Sequence, residues 1–163
     1  MDALVKKFMH VCITVPDLDE ALKFYRGVLG FTSVFETRTD EADGRLLGFD
    51  QDEIGIYAHH VLSLGASREQ ATEINLIEFT NPATNVAEGT YSQMNHVGIT
   101  RLALLVEDVS EAYERVRPYP GVQIVCAPRD IVIREPEITF TTTWFSFKDP
   151  WGVFLTMTQA PRA

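Results

Sequence analysis

Two cysteines, Cys12 and Cys126, are all that 163 residues contain. So few, and so far apart, they form neither a disulfide framework nor a thiolate metal pair, and a reducing compartment suits them. Positive charge is scarce as well: 14 Lys and Arg stand against 23 Asp and Glu, for a formal net charge of −9. Nucleic acid and anionic membrane surfaces both demand a basic face, so neither is an expected partner, and a small molecule is. No apolar run approaches a membrane span, and the opening MDALVKKFMH has no stretch long enough for a signal peptide. The expectation is a cytoplasmic protein. A glycine-rich phosphate loop is missing too, and no serine or cysteine has the setting of a nucleophile; Cys12 reads as a small apolar packing residue.

What is present is a patterned chain, 45% hydrophobic, enough to fill one compact domain or two small halves sharing a core. The stretch HVCITVPDLDEALKFYRGVLGF, residues 10–31, alternates first: Val11, Ile13 and Val15 point one way, His10, Cys12 and Thr14 the other. Asp17 with Glu20 resembles a capping box, and Leu18, Ala21, Leu22, Tyr25 and Leu29 continue as an apolar stripe at helical spacing, stopped by Gly27 and Gly30. The same grammar returns in RLALLVEDVSEAYERV, where Leu102, Leu104 and Val106 form the apolar strand face and Asp108 with Glu111 opens a helix. Asp17 and Asp108 lie 91 residues apart, and the same offset pairs His10 with Arg101. This is a repeat of one supersecondary unit. The six residues Val11, Ile13, Val15, Leu102, Leu104 and Val106 are predicted to lie buried under the two helices.

Each unit continues with three stretches rich in β-branched and aromatic residues: FTSVFE, IGIYAHHVLSLG and EINLIEF in the first, VQIVCA, TFTTTWFSF and VFLTMTQ in the second. Both halves therefore read βαβββ. The first spans residues 1–80, a polar linker 81–95, and the second 96–163. ADGRLLGFD reads as an extra helical turn, RDIVIREPEI as an exposed loop and DPWG as a tight turn before the last strand.

Paired βαβββ units, FYRGVLGF after the first helix, INLIEF before the linker and DPWG before the final strand resemble the vicinal oxygen chelate superfamily, which contains glyoxalase I, methylmalonyl-CoA epimerase, extradiol dioxygenases and fosfomycin- and bleomycin-resistance proteins. The resemblance covers nearly the whole chain. It implies an α+β fold in which two βαβββ modules form a curved mixed sheet, a cup with helices on its convex face, and it suggests a homodimer. In the metal enzymes of this superfamily a divalent ion in the cup is held by His and Glu from the first and last strands of each unit. Residue by residue, those positions here carry His10, Asn75, Arg101 and Thr156. One acid is replaced by an amide and the other by a hydroxyl, and a guanidinium stands where an imidazole would. No cofactor is therefore expected; a divalent ion held by His10, with Glu78 reached through a bulge, is the alternative.

Arg101 in a cup needs an anionic partner. Either it pairs internally with Glu78 or Glu73, or it receives a carboxylate, phosphate or enolate oxygen of a ligand. In the second case His10 is the candidate acid or base, and Asn75, Thr156, His59 and Trp144 are candidates to contact the substrate, with Phe145 and Trp151 as further aromatic walls. His59 is preferred over its neighbour because Tyr57, His59, Val61 and Ser63 form the more polar alternation of their strand; His96 sits beside the linker. Three functions follow: a metal-independent lyase or isomerase acting on a small oxygenated anionic metabolite, a resistance-type binding protein without chemistry, or a metal-dependent glyoxalase or dioxygenase relative.

Overall fold

The computed structural model describes residues 10–47, 49–62, 72–86, 101–134 and 139–160. The chain divides into two compact units, Met1–Ala87 and Glu88–Ala163, and the division falls inside the segment read as a linker. In the first unit β1 (His10–Thr14), α1 (Leu18–Gly27), β2 (Thr32–Asp43), β3 (Glu53–Leu62) and β4 (Glu73–Asn81) follow in order. The second unit contains β5 (Leu102–Leu105), α2 (Val109–Val116), β6 (Gln123–Arg134), β7 (Thr139–Lys148) and β8 (Phe154–Thr158). Their sheets run β1-β4-β3-β2 and β5-β8-β7-β6, one parallel pair at the β1 or β5 edge and antiparallel pairs elsewhere. The topology is the same in both, as the repeat predicts. No helix among the described residues is long and apolar enough to cross a membrane.

Local chemistry explains the boundaries. Asp17 Oδ1 accepts the Glu20 amide at 2.9 Å, and Asp108 Oδ1 accepts those of Ser110 and Glu111, so each helix starts at its acid. A second cap comes from β4 in the first unit and from just past β8 in the second: the Leu18 amide donates to Glu78 Oε2 at 2.8 Å, and the Val109 amide to Gln159 Oε1 at 3.1 Å. α1 buries Ala21, Phe24 and Tyr25, with Ile13, Val15 and Leu76 buried on the sheet side; α2 buries Val109 and Val116, with Phe145, Phe147, Leu155 and Met157 on the sheet side. Each large side chain so buried contributes about 1.5–3 kcal/mol. Of the six strand residues predicted beneath the helices, Ile13 and Val15 are fully buried, while Val11, Leu102, Leu104 and Val106 are half-buried. Val11, Leu102 and Leu104 lie on β1 and β5, the first strands in the order of the two four-stranded sheets, and Val106 follows directly after β5.

Two loop readings need correction. ADGRLLGFD is no helical turn: β2 runs on to Asp43, whose Oδ1 accepts the Leu46 amide at 2.9 Å in a turn that starts at Gly44. RDIVIREPEI is not a loop over residues 129–134, because β6 continues to Arg134 in register with β7. Pro128 lies just before that stretch. It falls in the register shift between Cys126 and Arg129, where the ladder does not require its missing N–H. DPWG is a tight turn, closed by buried Asp149, whose Oδ1 accepts the amides of Trp151 and Val153 at 3.0 and 2.8 Å. Gly152 takes φ +90°, open to glycine at little cost.

Candidate functional site

Register decides which side chains share the sheet face opposite α1. β1 pairs with β4 so that His10 lies beside Glu73 and Cys12 beside Asn75; β3 pairs with β4 so that His60 lies beside Asn75. Paired residues point the same way, so His10, Cys12, Glu73, Asn75 and His60 occupy one face. The contacts agree. His60 Nδ1 is 2.6 Å from Glu73 Oε2, its ring meets the His10 ring edge-on at 5.5 Å, and Phe35 stacks on it at 4.1 Å. Glu73, His60 and Asn75 are buried, whereas His10 is exposed. Asn75 Nδ2 leans on Cys12 Sγ at 3.9 Å, and its Oδ1 is buried with no hydrogen-bond partner among the described residues. Cys12 is exposed on this face, and desolvation pushes its thiol pKa up, with the Asn75 amide opposing, which keeps the thiol protonated.

His59 is a correction. It pairs with Leu76, which turns it to the other face, where its Nε2 meets Ser33 Oγ at 2.8 Å. Its neighbour His60 takes the place expected of it. The more polar alternation of β3 proved to be the one toward α1, because Tyr57 and His59 meet Arg38 and Glu36 of β2 there. Burial lowers the His59 pKa below its ordinary 6.5, Glu36 opposing and Arg26 assisting. A histidine held neutral in the fold is protonated more readily in the unfolded chain. Stability is therefore expected to be intact above pH 6.5 and to fall as pH drops from there through the lowered folded value. Urea midpoints measured across that window should show the loss, and His59→Gln should flatten it.

Glu78 is the second correction. It lies on the α1 side of β4, committed to the Leu18 amide, and not on the face of His10. The register shift between β3 and β4 falls at Phe79–Asn81, past Glu78, and does not turn it. Glu78→Ala should cost about 1 kcal/mol in urea unfolding, the usual loss on removing a helix cap. Glu78→Gln should cost only a few tenths, since Gln159 already serves α2 with a carboxamide oxygen and only the charge–dipole contribution is lost.

In the second unit, Ala103 pairs with Thr156, Ser146 with Thr156, Trp144 with Thr158 and Arg129 with Trp144, so these residues share the face opposite α2. Arg101, just before β5, is exposed and holds its guanidinium 5.8 Å from the Trp144 ring centre. No carboxylate of its own unit pairs with it among the described residues. Glu73 and Glu78, the two partners considered for it, are occupied by His60 and by α1. Trp144 Nε1 and Thr156 Oγ1 are buried without hydrogen-bond partners among the described residues. A buried donor left so is costly unless something else satisfies it. Phe145 lies on the α2 side with Tyr113 and Phe147, in the core. His96 lies outside the described residues.

Residues 7–157 match the family described as the Glyoxalase/Bleomycin resistance protein/Dioxygenase superfamily. The chain belongs to that superfamily. Among relatives of this glyoxalase-like chain, a 2-epi-5-epi-valiolone epimerase from Actinomyces sp. is 31% identical over 153 residues, covering 93% of this chain and 78% of the relative. Among solved structures, a glyoxalase family protein from Bacillus cereus superposes with a TM-score of 0.75 at 20% identity over the whole of both chains. The trypanothione-dependent glyoxalase I of Leishmania major gives 0.59 at 20% identity, covering 95% of this chain and 87% of that one. These structures share the fold.

The superfamily's divalent ion can be tested against the donors present. In the first unit the two ligand positions hold His10 and Asn75, whose Nδ2 faces a thiol; in the second they hold Arg101 and Thr156. One imidazole is the only good donor in that set. Glu78, the carboxylate considered as its companion, is at the helix cap, and no group of three His, Cys, Asp or Glu among the described residues is arranged to hold an ion. The residues do not fit the metal site of the superfamily.

Proposed function

We propose that this chain is an isomerase that moves a proton at the carbon beside the carbonyl of a small oxygenated substrate, with His10 as acid or base. The observation that carries the reading is the exposed imidazole of His10 on a sheet face with a second imidazole, in a chain 31% identical to an enzyme named as an epimerase of a ketone, 2-epi-5-epi-valiolone. Inverting a carbon next to a carbonyl requires removing its proton and returning one, and imidazole titrates in the range where both transfers run at neutral pH. In the same reading Asn75 gives its unpartnered Oδ1 to a substrate hydroxyl. In the second unit Arg101, with Trp144 Nε1 and Thr156 Oγ1, offers donors for an anionic oxygen.

The test is to incubate the purified protein with 2-epi-5-epi-valiolone in D2O and follow the proton spectrum. Conversion to an epimer carrying one solvent deuterium at the inverted carbon is the expected result. Saturable binding without conversion or exchange would overturn the isomerase reading in favour of a binding protein.

A further inference from the structure

We infer that His60, tied to Glu73, is a second proton-handling residue of the surface on which His10 stands; the inference rests on the isomerase reading. His60 and Glu73 lie outside the four positions matched above to the superfamily's metal ligands. They are brought together by register alone, His10 beside Glu73 on β1 and β4, and His60 beside Asn75 on β3 and β4.

The geometry is that of an oriented imidazole. With Glu73 as a carboxylate, which only accepts, the 2.6 Å contact between His60 Nδ1 and Glu73 Oε2 carries its proton on Nδ1. The exchangeable position of the ring is then Nε2. The ring plane is fixed as well, stacked on Phe35 with 17° between planes and set edge-on to His10 at 87°. A pure packing role would be served by an apolar side chain, without burying a carboxylate that is only 6% exposed. Phe35 is 40% exposed, so the dyad lies directly beneath accessible surface.

Two imidazoles in contact match what enolisation needs, a base at the C–H bond and a proton donor at the carbonyl oxygen one bond away. His60 Nε2 takes the proton from the carbon beside the carbonyl. The C–H electron pair becomes the new C=C bond, and the carbonyl oxygen takes a proton from His10. In the return step the enol O–H gives its proton back to His10, and the carbon takes a proton from water on its opposite face. His60 then releases its proton to solvent, so the configuration of one carbon is the only net change.

The experiment measures epimerisation and deuterium uptake of 2-epi-5-epi-valiolone by the full chain and its variants, with nitrogen-15 spectra of the histidine rings. In the wild type the His60 ring is expected to carry its proton on Nδ1, and a bare Nδ1 would overturn the inference even if no variant folded. His60→Phe, which keeps a ring against Phe35, should lower kcat by about 10²–10⁴-fold with KM changed only a few-fold. His60→Ala should regain part of its exchange rate on addition of free imidazole, which a structural role would not produce. Wild-type exchange that survives His60→Phe within about threefold would overturn the dyad and leave the isomerase reading standing. No exchange by the wild type would overturn both.

Discussion

His10→Gln is expected to lower the rate of epimerisation by about 10²–10⁴-fold, the usual contribution of one positioned acid or base. That corresponds to about 3–5 kcal/mol of transition-state stabilisation. KM should move little, because a group acting on the proton in flight is not needed for ground-state binding. Stability should change by no more than about 0.5 kcal/mol, since His10 stands exposed on an edge strand. Steady-state kinetics beside a urea curve measure both quantities. Retention of full activity by a folded His10→Gln protein would remove His10 from the mechanism. A large loss of stability instead would mean that its edge-on contact with His60 is structural.

Arg101→Met is the second large effect. If the guanidinium receives an anionic oxygen, its removal should weaken binding of a small carboxylate or phosphate by about 1.5–3 kcal/mol, the range for a hydrogen bond to a charged group. Methionine keeps an unbranched apolar stem against the Trp144 ring, so the loss reports the charge and its donors. Stability should hold within about 0.5 kcal/mol, because no carboxylate of its own unit is left stranded among the described residues. Calorimetric titration of a panel of small carboxylates and phosphates against wild type and variant gives the answer. Equal affinities across the panel would take Arg101 out of ligand binding and leave the cation as a solvated strand-end residue stacked on Trp144.

Amphipathic alternation and capping carried the fold in plain sight. Asp17 and Asp108 open the two helices because an acid three residues before another acid, followed by an apolar stripe, satisfies orphan amides wherever it occurs. The 91-residue offset between them exposed the duplication, and DPWG marked the last turn. Each of these signals is local, made by residues within a few positions of one another. His10 and Arg101 were placed on the faces opposite their helices by the same means, the apolar residues of β1 and β5 leaving only one parity for them.

Pairing was a different matter. The choice between His59 and His60 depended on which residue of β3 stands opposite Asn75, and strand alternation permits either histidine until the partner strand fixes the register. Glu73 was a candidate partner for Arg101; it became the partner of His60 because the β3–β4 hairpin brings residues 13 positions apart to 2.6 Å. Glu78 needed α1 in place before its carboxylate could be recognised as a cap, across 60 residues of chain. The loop expected over RDIVIREPEI shows the same limit, since residues 129–134 became strand through their pairing with β7. By itself the sequence determined the elements, the duplication and the parity of each first strand, because those follow from periodicity and capping within short windows. Only the tertiary structure decided which imidazoles and carboxylates meet, because that depends on hydrogen-bond register between strands distant in the chain, to which no short window of sequence is sensitive.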